Sequence, residues 1–218
     1  MLDATLRDNV FKELQFEPSV HAGQIGVAVM DGIVTLSGHV ASYAEKTTAV
    51  SAVRRVTGVH AIADEIEVRC LPVKTIPDDE IARRGLEILR WDITLPQDAI
   101  QITVSSGRVT LTGTVEWQYQ RKAAEDDIRK LAGVRSFNNA ITLAPQATSE
   151  NVKAKIEDAL VRNAETDAQA IRVVVDEGHH VRLEGKVRTW NERVAAETAA
   201  WSAPGVNSVD DRLAIDHI

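Results

Sequence analysis

The sequence predicts an α+β protein of three tandem αββαβ modules, each a three-stranded mixed sheet with two helices packed on one face. Three observations carry this expectation. The segments DGIVTLSG (Asp31 to Gly38), SGRVTLTG (Ser106 to Gly113) and EGHHVRLEG (Glu177 to Gly185) share a turn glycine, alternating apolar positions and a second glycine. A Gly-Val pair then follows each second glycine by 20 residues, at Gly58-Val59, Gly133-Val134 and Gly205-Val206. Copies one and two are offset by 75 residues and the later parts of copies two and three by 72, too long a period for a solenoid unit. The expected modules are residues 1–71, 76–144 and 148–218.

Each copy opens with apolar residues at helical spacing: Leu6, Val10, Leu14; then Ile81, Leu86, Leu89, with a one-residue shift; then Val152, Ile156, Leu160. Start signals are Asp3 or Thr5, Asp78 or Asp79, and Ser149, with Glu150 favourable to the dipole behind it. Two strands follow in strict alternation. Ile25, Val27 and Val29 are matched by Ile100, Ile102, Val104 and by Ile171, Val173, Val175. Past the turn, Val34 and Leu36 are matched by Val109 and Leu111 and by Val181 and Leu183. Asp31-Gly32 is a two-residue hairpin signal, because glycine accepts the positive φ such turns require. The third copy has one residue more, so its turn should be longer or bulged.

A second helix carries Ala49, Val53, Val56, then Ala124, Ile128, Leu131, then Ala196, Ala200, Ala203, stopping at Gly58, Gly133 or Pro204-Gly205. A last strand holds Ile66 and Val68, Ile141 and Leu143, Leu213 and Ile215. The helix before it is long enough for a crossover, hence a mixed sheet. Proline-containing linkers, residues 71–77 and 144–148, join the modules stiffly. Units this small are marginally stable alone, so packing between neighbours is expected.

A formal charge of −7 over 218 residues argues against general nucleic-acid binding. The charge is uneven: −3 over residues 1–71, zero over 72–145 and −4 over 146–218. The middle module is therefore the one to meet an anionic surface. Cys70 is the only cysteine, expected to be an inert thiol, so no intrachain disulfide forms. Met1-Leu2-Asp3 leads directly into a polar amphipathic segment, without the basic and apolar regions of an export signal, so a cytoplasmic location is expected.

The pattern resembles the BON domain, the family of bacterial osmotically induced and nodulation proteins. The likeness rests on the Gly-Val-Leu-Gly hairpin and on the stretch after the later glycine. There Val59 to Asp64, Val134 to Asn139 and Val206 to Asp211 each end on the Asn or Asp the family prefers. It covers almost the whole chain, in three phased copies. The resemblance implies a non-enzymatic α+β module tied to osmotic or envelope stress, with phospholipid surfaces as proposed ligands. Most members are exported or lipid-anchored with one or two copies; this chain has three. The family has no catalytic motif to carry over. It transfers only structural glycines: Gly32, Gly38, Gly58, Gly107, Gly113, Gly133, Gly178, Gly185 and Gly205.

No zinc-type spacing, phosphate loop or dinucleotide fingerprint appears, and no cofactor is expected. His179-His180 would suit a metal only if the turn bulged, since neighbours on a strand face opposite ways; a solvated turn is the expectation. The carboxylate runs Asp78-Asp79-Glu80, Glu125-Asp126-Asp127 and Asp210-Asp211 read as solvated surface.

A basic cluster in the middle module is the candidate anionic-surface contact: Arg121, Lys122, Arg129 and Lys130 on its second helix, Arg83 and Arg84, with Arg90, on its first, and Trp117 beside them. Trp91, Trp117 and Tyr119 suit a headgroup layer, where amphipathic rings are favoured. Trp201 stands where the siblings place Arg54 and Arg129. A ring there suggests an exposed site covered by another module or chain; with Trp190 it is the candidate module or partner interface. Two functions follow as expectations: binding to anionic phospholipid surfaces, or a protein-binding, chaperone-like scaffold using surfaces between modules. The oligomeric state stays open.

Overall fold

The computed structural model describes residues 3–69, 76–144, 152–163, 166–176 and 180–215. Its elements run α1 (Asp3–Phe16), β1 (Ile25–Met30), β2 (Ile33–Val40), α2 (Tyr43–Arg54), β3 (Ala61–Val68), α3 (Asp78–Trp91), β4 (Ile100–Ser105), β5 (Arg108–Val115), α4 (Gln118–Arg129), β6 (Ser136–Leu143), α5 (Val152–Arg162), β7 (Ile171–Val175), β8 (His180–Val187), α6 (Trp190–Trp201) and β9 (Ser208–Ile215). The αββαβ order thus occurs three times, as the fold class requires. The chain forms two compact units, Met1–Thr142 and Leu143–Ile218; the first holds two modules, the second holds one.

Each module has its own three-stranded mixed sheet, ordered β1-β2-β3, β4-β5-β6 and β7-β8-β9. β1 and β2 pair antiparallel through a tight hairpin, and β3 pairs parallel to β2 after the α2 crossover. The third module repeats this, β7 antiparallel and β9 parallel to β8. Both central residues of the first two hairpin turns have positive φ, 52° and 75° at Asp31-Gly32 and 53° and 75° at Ser106-Gly107. Such a turn matches the twist of its strands. The third turn, with His179 and Gly178, lies outside the described residues, as do Cys70, Ser149 and most of both linkers.

The second-strand glycines matter for close approach. Gly38, Gly113 and Gly185 take φ of 108°, 134° and 131°, and a Cβ there would collide with the carbonyl oxygen of Gln24, Ala99 or Ala170. Gly58, Gly133 and Gly205 also have positive φ, but they stand beyond the helices. α2, α4 and α6 end at Arg54, Arg129 and Trp201, so Val56, Leu131 and Ala203 lie past the helix ends where the sequence reading had them inside.

Cores form under the helices. Leu6, Val10, Leu14, Val34, Leu36, Ala49 and Val53 are fully covered in the first module. Val152, Ile156, Leu160, Val181, Leu183, Ala196 and Ala200 occupy equivalent places in the third. One expected core position is corrected. On α3 the inward residue between Ile81 and Leu89 is Gly85, not Leu86, so the stripe keeps the spacing of its siblings with no shift. The side chain missing from Gly85 leaves room that Ile102 of β4 fills.

The uncovered sheet faces differ. The first module shows Ala28, Met30, Ile33 and Ala61 among polar residues, the second Thr103, Thr110, Thr112 and Thr114, and the third a mixed-charge set in which Asp210 pairs with Arg182 and Arg212.

Candidate functional site

Each second helix begins with a buried polar side chain that ties two loops together. Ser42 and Thr189 accept hydrogen bonds from the N–H groups of Glu45 and Glu192, both at 3.1 Å. Glu45 reaches back to accept from Ala41 N–H (3.0 Å) and across to accept from His21 N–H (2.8 Å). Glu192 does the same with Arg188 N–H (2.7 Å) and Asp167 N–H (2.8 Å). Burial alone would raise the Glu45 carboxyl, but the bonds from the His21 backbone and ring and from Ala41 outweigh it and hold it below its ordinary value.

The middle module has Pro96 where its siblings have His21 and Asp167, and proline has no N–H to donate. It also has Gln120 in place of glutamate. The amide oxygen still accepts from Glu116 and Trp117 N–H at 3.1 Å, while its NH2 donates to the Thr94 carbonyl at 3.2 Å. The acid has become an amide because the partner has changed from donor to acceptor.

That last bond fixes the loop after α3 against the start of α4. Trp91, Ile93 and Tyr119 flank it and are 85%, 98% and 58% exposed. They form an apolar tip on the middle module. The end of α1, in the equivalent place, carries Phe16 at 82% exposure, and the last turn of α5 carries Val161 at 74%. Trp91 and Tyr119 were legible as candidate interfacial rings; Ile93 was missed, because a lone isoleucine after a helix looks like core.

The structure does not gather the predicted basic cluster into a free cationic surface. Arg83 bonds Glu80 (2.8 Å) and Glu87 (2.6 Å), and Arg84 bonds Glu80 (2.7 Å). The two guanidiniums lower the Glu80 carboxyl to about 2. Lys122 pairs with Asp126 at 3.2 Å, and Arg129 with Glu125. Lys130 is exposed at the end of α4, and Trp117 is half-buried just before its start.

Arg121 turns inward. It donates to the Asn139 carbonyl at 3.4 Å, while Asn139 donates its side-chain N–H to the Arg121 carbonyl at 3.2 Å. Its siblings make the same tie from helix to last strand, Lys46 to Asp64 at 3.1 Å and Arg193 to Asp211 at 2.6 Å. The Asn or Asp at this place also accepts from the N–H two residues on, of Ile66, Ile141 or Leu213. Arg121 and Asp211, read from sequence as surface charges, are structural.

Trp201 sits partly inside its own module. It is half-buried against its own module's core, its indole N–H donating to Glu197 at 3.3 Å. Trp190 is half-buried, with the Arg193 guanidinium 5.2 Å from its ring centre. Asp3 and Asp78 begin α1 and α3, yet their carboxylates accept from the hairpin N–H groups, Asp31 and Gly32 (2.9 and 3.3 Å) or Ser106 and Gly107 (2.6 and 2.9 Å). His180 Nδ1 lies 2.6 Å from Ser208 Oγ.

Within the first unit the two modules touch. The Tyr43 ring lies 6.5 Å from Phe137, and burial pushes the Tyr43 phenol up. A cleft of about 540 Å³ nearby is lined by Ser42, Pro77, Asp78, Gly107 and Arg135 among others. Its carboxylate, Asp78, is already held by the hairpin. Among the described residues no three His, Cys, Asp or Glu side chains are grouped to hold a metal ion. No described helix is long and apolar enough to cross a membrane.

The family model for the BON domain matches residues 2–70, 77–145 and 148–216. Osmotically-inducible protein Y of Escherichia coli (strain K12) is 29% identical over 143 residues, 64% of this chain and 71% of that protein. Among solved structures, CdsD, a structural protein of the type III secretion system of Chlamydia trachomatis, is 14% identical. The match covers 98% of this chain and 93% of that one, with a TM-score of 0.28, too low to imply a shared overall arrangement.

Proposed function

The chain belongs to the BON domain family in each of its three modules, and from that premise we propose that it is a non-catalytic, osmotic-stress-related protein that binds anionic phospholipid surfaces. The tip of Trp91, Ile93 and Tyr119 carries this reading. A tryptophan and an isoleucine so fully exposed on a firmly tied loop lose apolar surface to water only against something else. Covering each side chain contributes about 1.5–3 kcal/mol. The rings suit the headgroup layer, and cations near an anionic surface add about 1 kcal/mol each. Because the basic residues of α3 and α4 are mostly paired, the apolar contribution leads and the charge contribution is modest. The likeness to an osmotically inducible protein supports the stress association.

Vesicle flotation tests this. The chain is retained on both kinds of vesicle and moderately better on anionic than on neutral ones, and Trp91→Ala with Ile93→Ala lowers retention at least tenfold. Equal retention on both lipids, or on neither, refutes the reading.

One observation favours a protein-binding scaffold as the second reading. In the first module Arg55 clamps the ends of α1 and α2 through Glu13 (3.0 Å) and Glu17 (3.3 Å). The third module has Ser202, Ala159 and Asn163 at those places, leaving an uncharged groove of about 570 Å³ between α5 and α6. Val194→Arg in that groove would abolish capture of a protein partner and leave vesicle retention unchanged.

A further inference from the structure

We propose that the outer edge of β1, in the first module, is a docking site for an extended, uncharged strand of another protein, which adds to the sheet as a fourth strand. The inference is independent of the lipid reading, since it uses another module and another surface.

Each three-stranded sheet has two edges, and in all three modules side chains close the edge of the last strand. Lys46 Nζ donates to the Ile66 carbonyl at 2.7 Å, while Asp64 accepts from the Ile66 N–H at 3.1 Å. Arg121 and Arg193 reach the Asn139 and Asp211 carbonyls, both at 3.4 Å. Asn139 and Asp211 in turn accept from the Ile141 and Leu213 N–H groups. A row of unpaired backbone groups is a template for a further strand, and these bonds interrupt it.

The edge of the first strand has no such device. Met30 pairs with Ile33 and Ala28 with Thr35 beside the two-residue turn. These are the hydrogen-bonded pairs of the antiparallel ladder, so the alternate residues Val27 and Val29 turn their N–H and C=O groups outward. Among the described residues no hydrogen bond reaches those groups. The strand reads Ile-Gly-Val-Ala-Val-Met, with no charge and no proline on it.

Both flanks of this edge are apolar as well. α1 packs on β1, and α2 on β3. Glu13 marks the side of α1 that faces α2, because Arg55 bonds it there at 3.0 Å. Phe11, two residues earlier and so on the opposite side of the helix, overhangs the β1 edge and is 38% exposed. Ala28 and Met30 stand exposed on the bare face. An added strand lays alternate side chains against Phe11 on one face and against Ala28 and Met30 on the other.

The siblings show that the combination is particular to the first module. Leu86 takes the place of Phe11 in the second, and Glu157, paired with Lys153 at 3.6 Å, in the third. On the bare face β4 carries Gln101, Thr103 and Ser105, and β7 carries Arg172. The third edge is thus guarded by charge, a common protection for an exposed strand. A lone strand fits the first edge better than a second copy does. Antiparallel pairing of β1 with its counterpart would set two α1 helices about 4.7–4.9 Å apart, where packed helices need about 8–10 Å. A lone strand brings no helix with it, and the uncharged edge offers no partner to a charged one.

The test uses the full chain and a fluorescent synthetic peptide alternating valine and threonine. Bound peptide should slow hydrogen exchange at the Val27 and Val29 amides by about tenfold, the gain of about one hydrogen bond. The same peptide with every amide N-methylated keeps its side chains and should not bind. Val27→Pro removes an outward N–H at a place where an edge strand tolerates proline, and should weaken binding about tenfold. Phe11→Lys, a change on an exposed helix flank that leaves the backbone alone, should weaken it as well. Vesicle retention should be unchanged in both variants. Equal binding of the two peptides, or none by wild type, overturns the proposal. A concentration-dependent dimer that Val27→Pro dissolves overturns the choice of occupant.

Discussion

Replacing Gln120 by glutamate should destabilise the middle module, even though both siblings use glutamate at that place. Gln120 is buried, and its NH2 is the donor to the Thr94 carbonyl at 3.2 Å. A carboxylate turns that bond into two facing oxygens. The lost hydrogen bond is worth about 0.5–1.5 kcal/mol, and the buried carboxylate oxygen left without a donor costs about 1–3 kcal/mol. Together they predict a loss of about 1.5–4.5 kcal/mol. Pro96→Ala restores the N–H that the siblings supply from His21 and Asp167. Alone it should cost about 0.4–1 kcal/mol through chain entropy. Combined with Gln120→Glu it should recover about 1–2 kcal/mol, a positive coupling in the double-mutant cycle. Hydrogen exchange in urea, resolved to peptides of α4 and the Thr94 loop, measures the middle module separately from its neighbours. The new carboxyl should have a folded pKa raised above its unfolded value. The deficit should therefore shrink as pH falls and return as it rises. A Gln120→Glu cost below about 0.5 kcal/mol, or no coupling to Pro96→Ala, refutes the donor–acceptor reasoning.

Three other outcomes follow from the packing. Gly85→Ala places a methyl against the Ile102 side-chain end, so it should be near neutral alone; with Ile102→Val it should exceed Ile102→Val by about 1 kcal/mol in melting experiments, the helix-propensity gain of alanine. Glu45 is held below its ordinary pKa, so its contribution is present above the unfolded carboxyl range and is lost as pH falls through the folded value; Glu45→Gln should flatten the acid limb of first-module stability, read by hydrogen exchange. Arg193→Ala should cost about 1–2 kcal/mol and Arg121→Ala about 0.5–1 kcal/mol, because the Arg193 tie to Asp211 is short and charge-assisted; Lys122→Ala should stay within about 0.5 kcal/mol in urea titration.

The fold was legible because its signals repeat. Val34, Leu36 and their counterparts alternate so strictly that three hairpins could be read in register, and all are fully covered in the structure. Gly85 was misread because a buried glycine has no hydropathy signal, and Leu86 beside it offered a false one. The site was harder. Arg121 looks like surface until its sheet partner, 18 residues on, is known to stand against it. The pairing of Arg83 with Glu80 and Glu87 was present in the helical spacing, three and four residues apart, and counting net charge alone hid it.

The bare sheet faces carry a last consequence. Partly alkyl, threonine-rich and mixed-charge surfaces lie on the outer sides of three sheets whose inner sides share one valine–leucine pattern. Duplication here preserved the inward half of each strand and released the outward half to drift separately. Grafting the outward residues of β8 onto β2 should therefore yield a first module that folds as before yet displays the third module's charges.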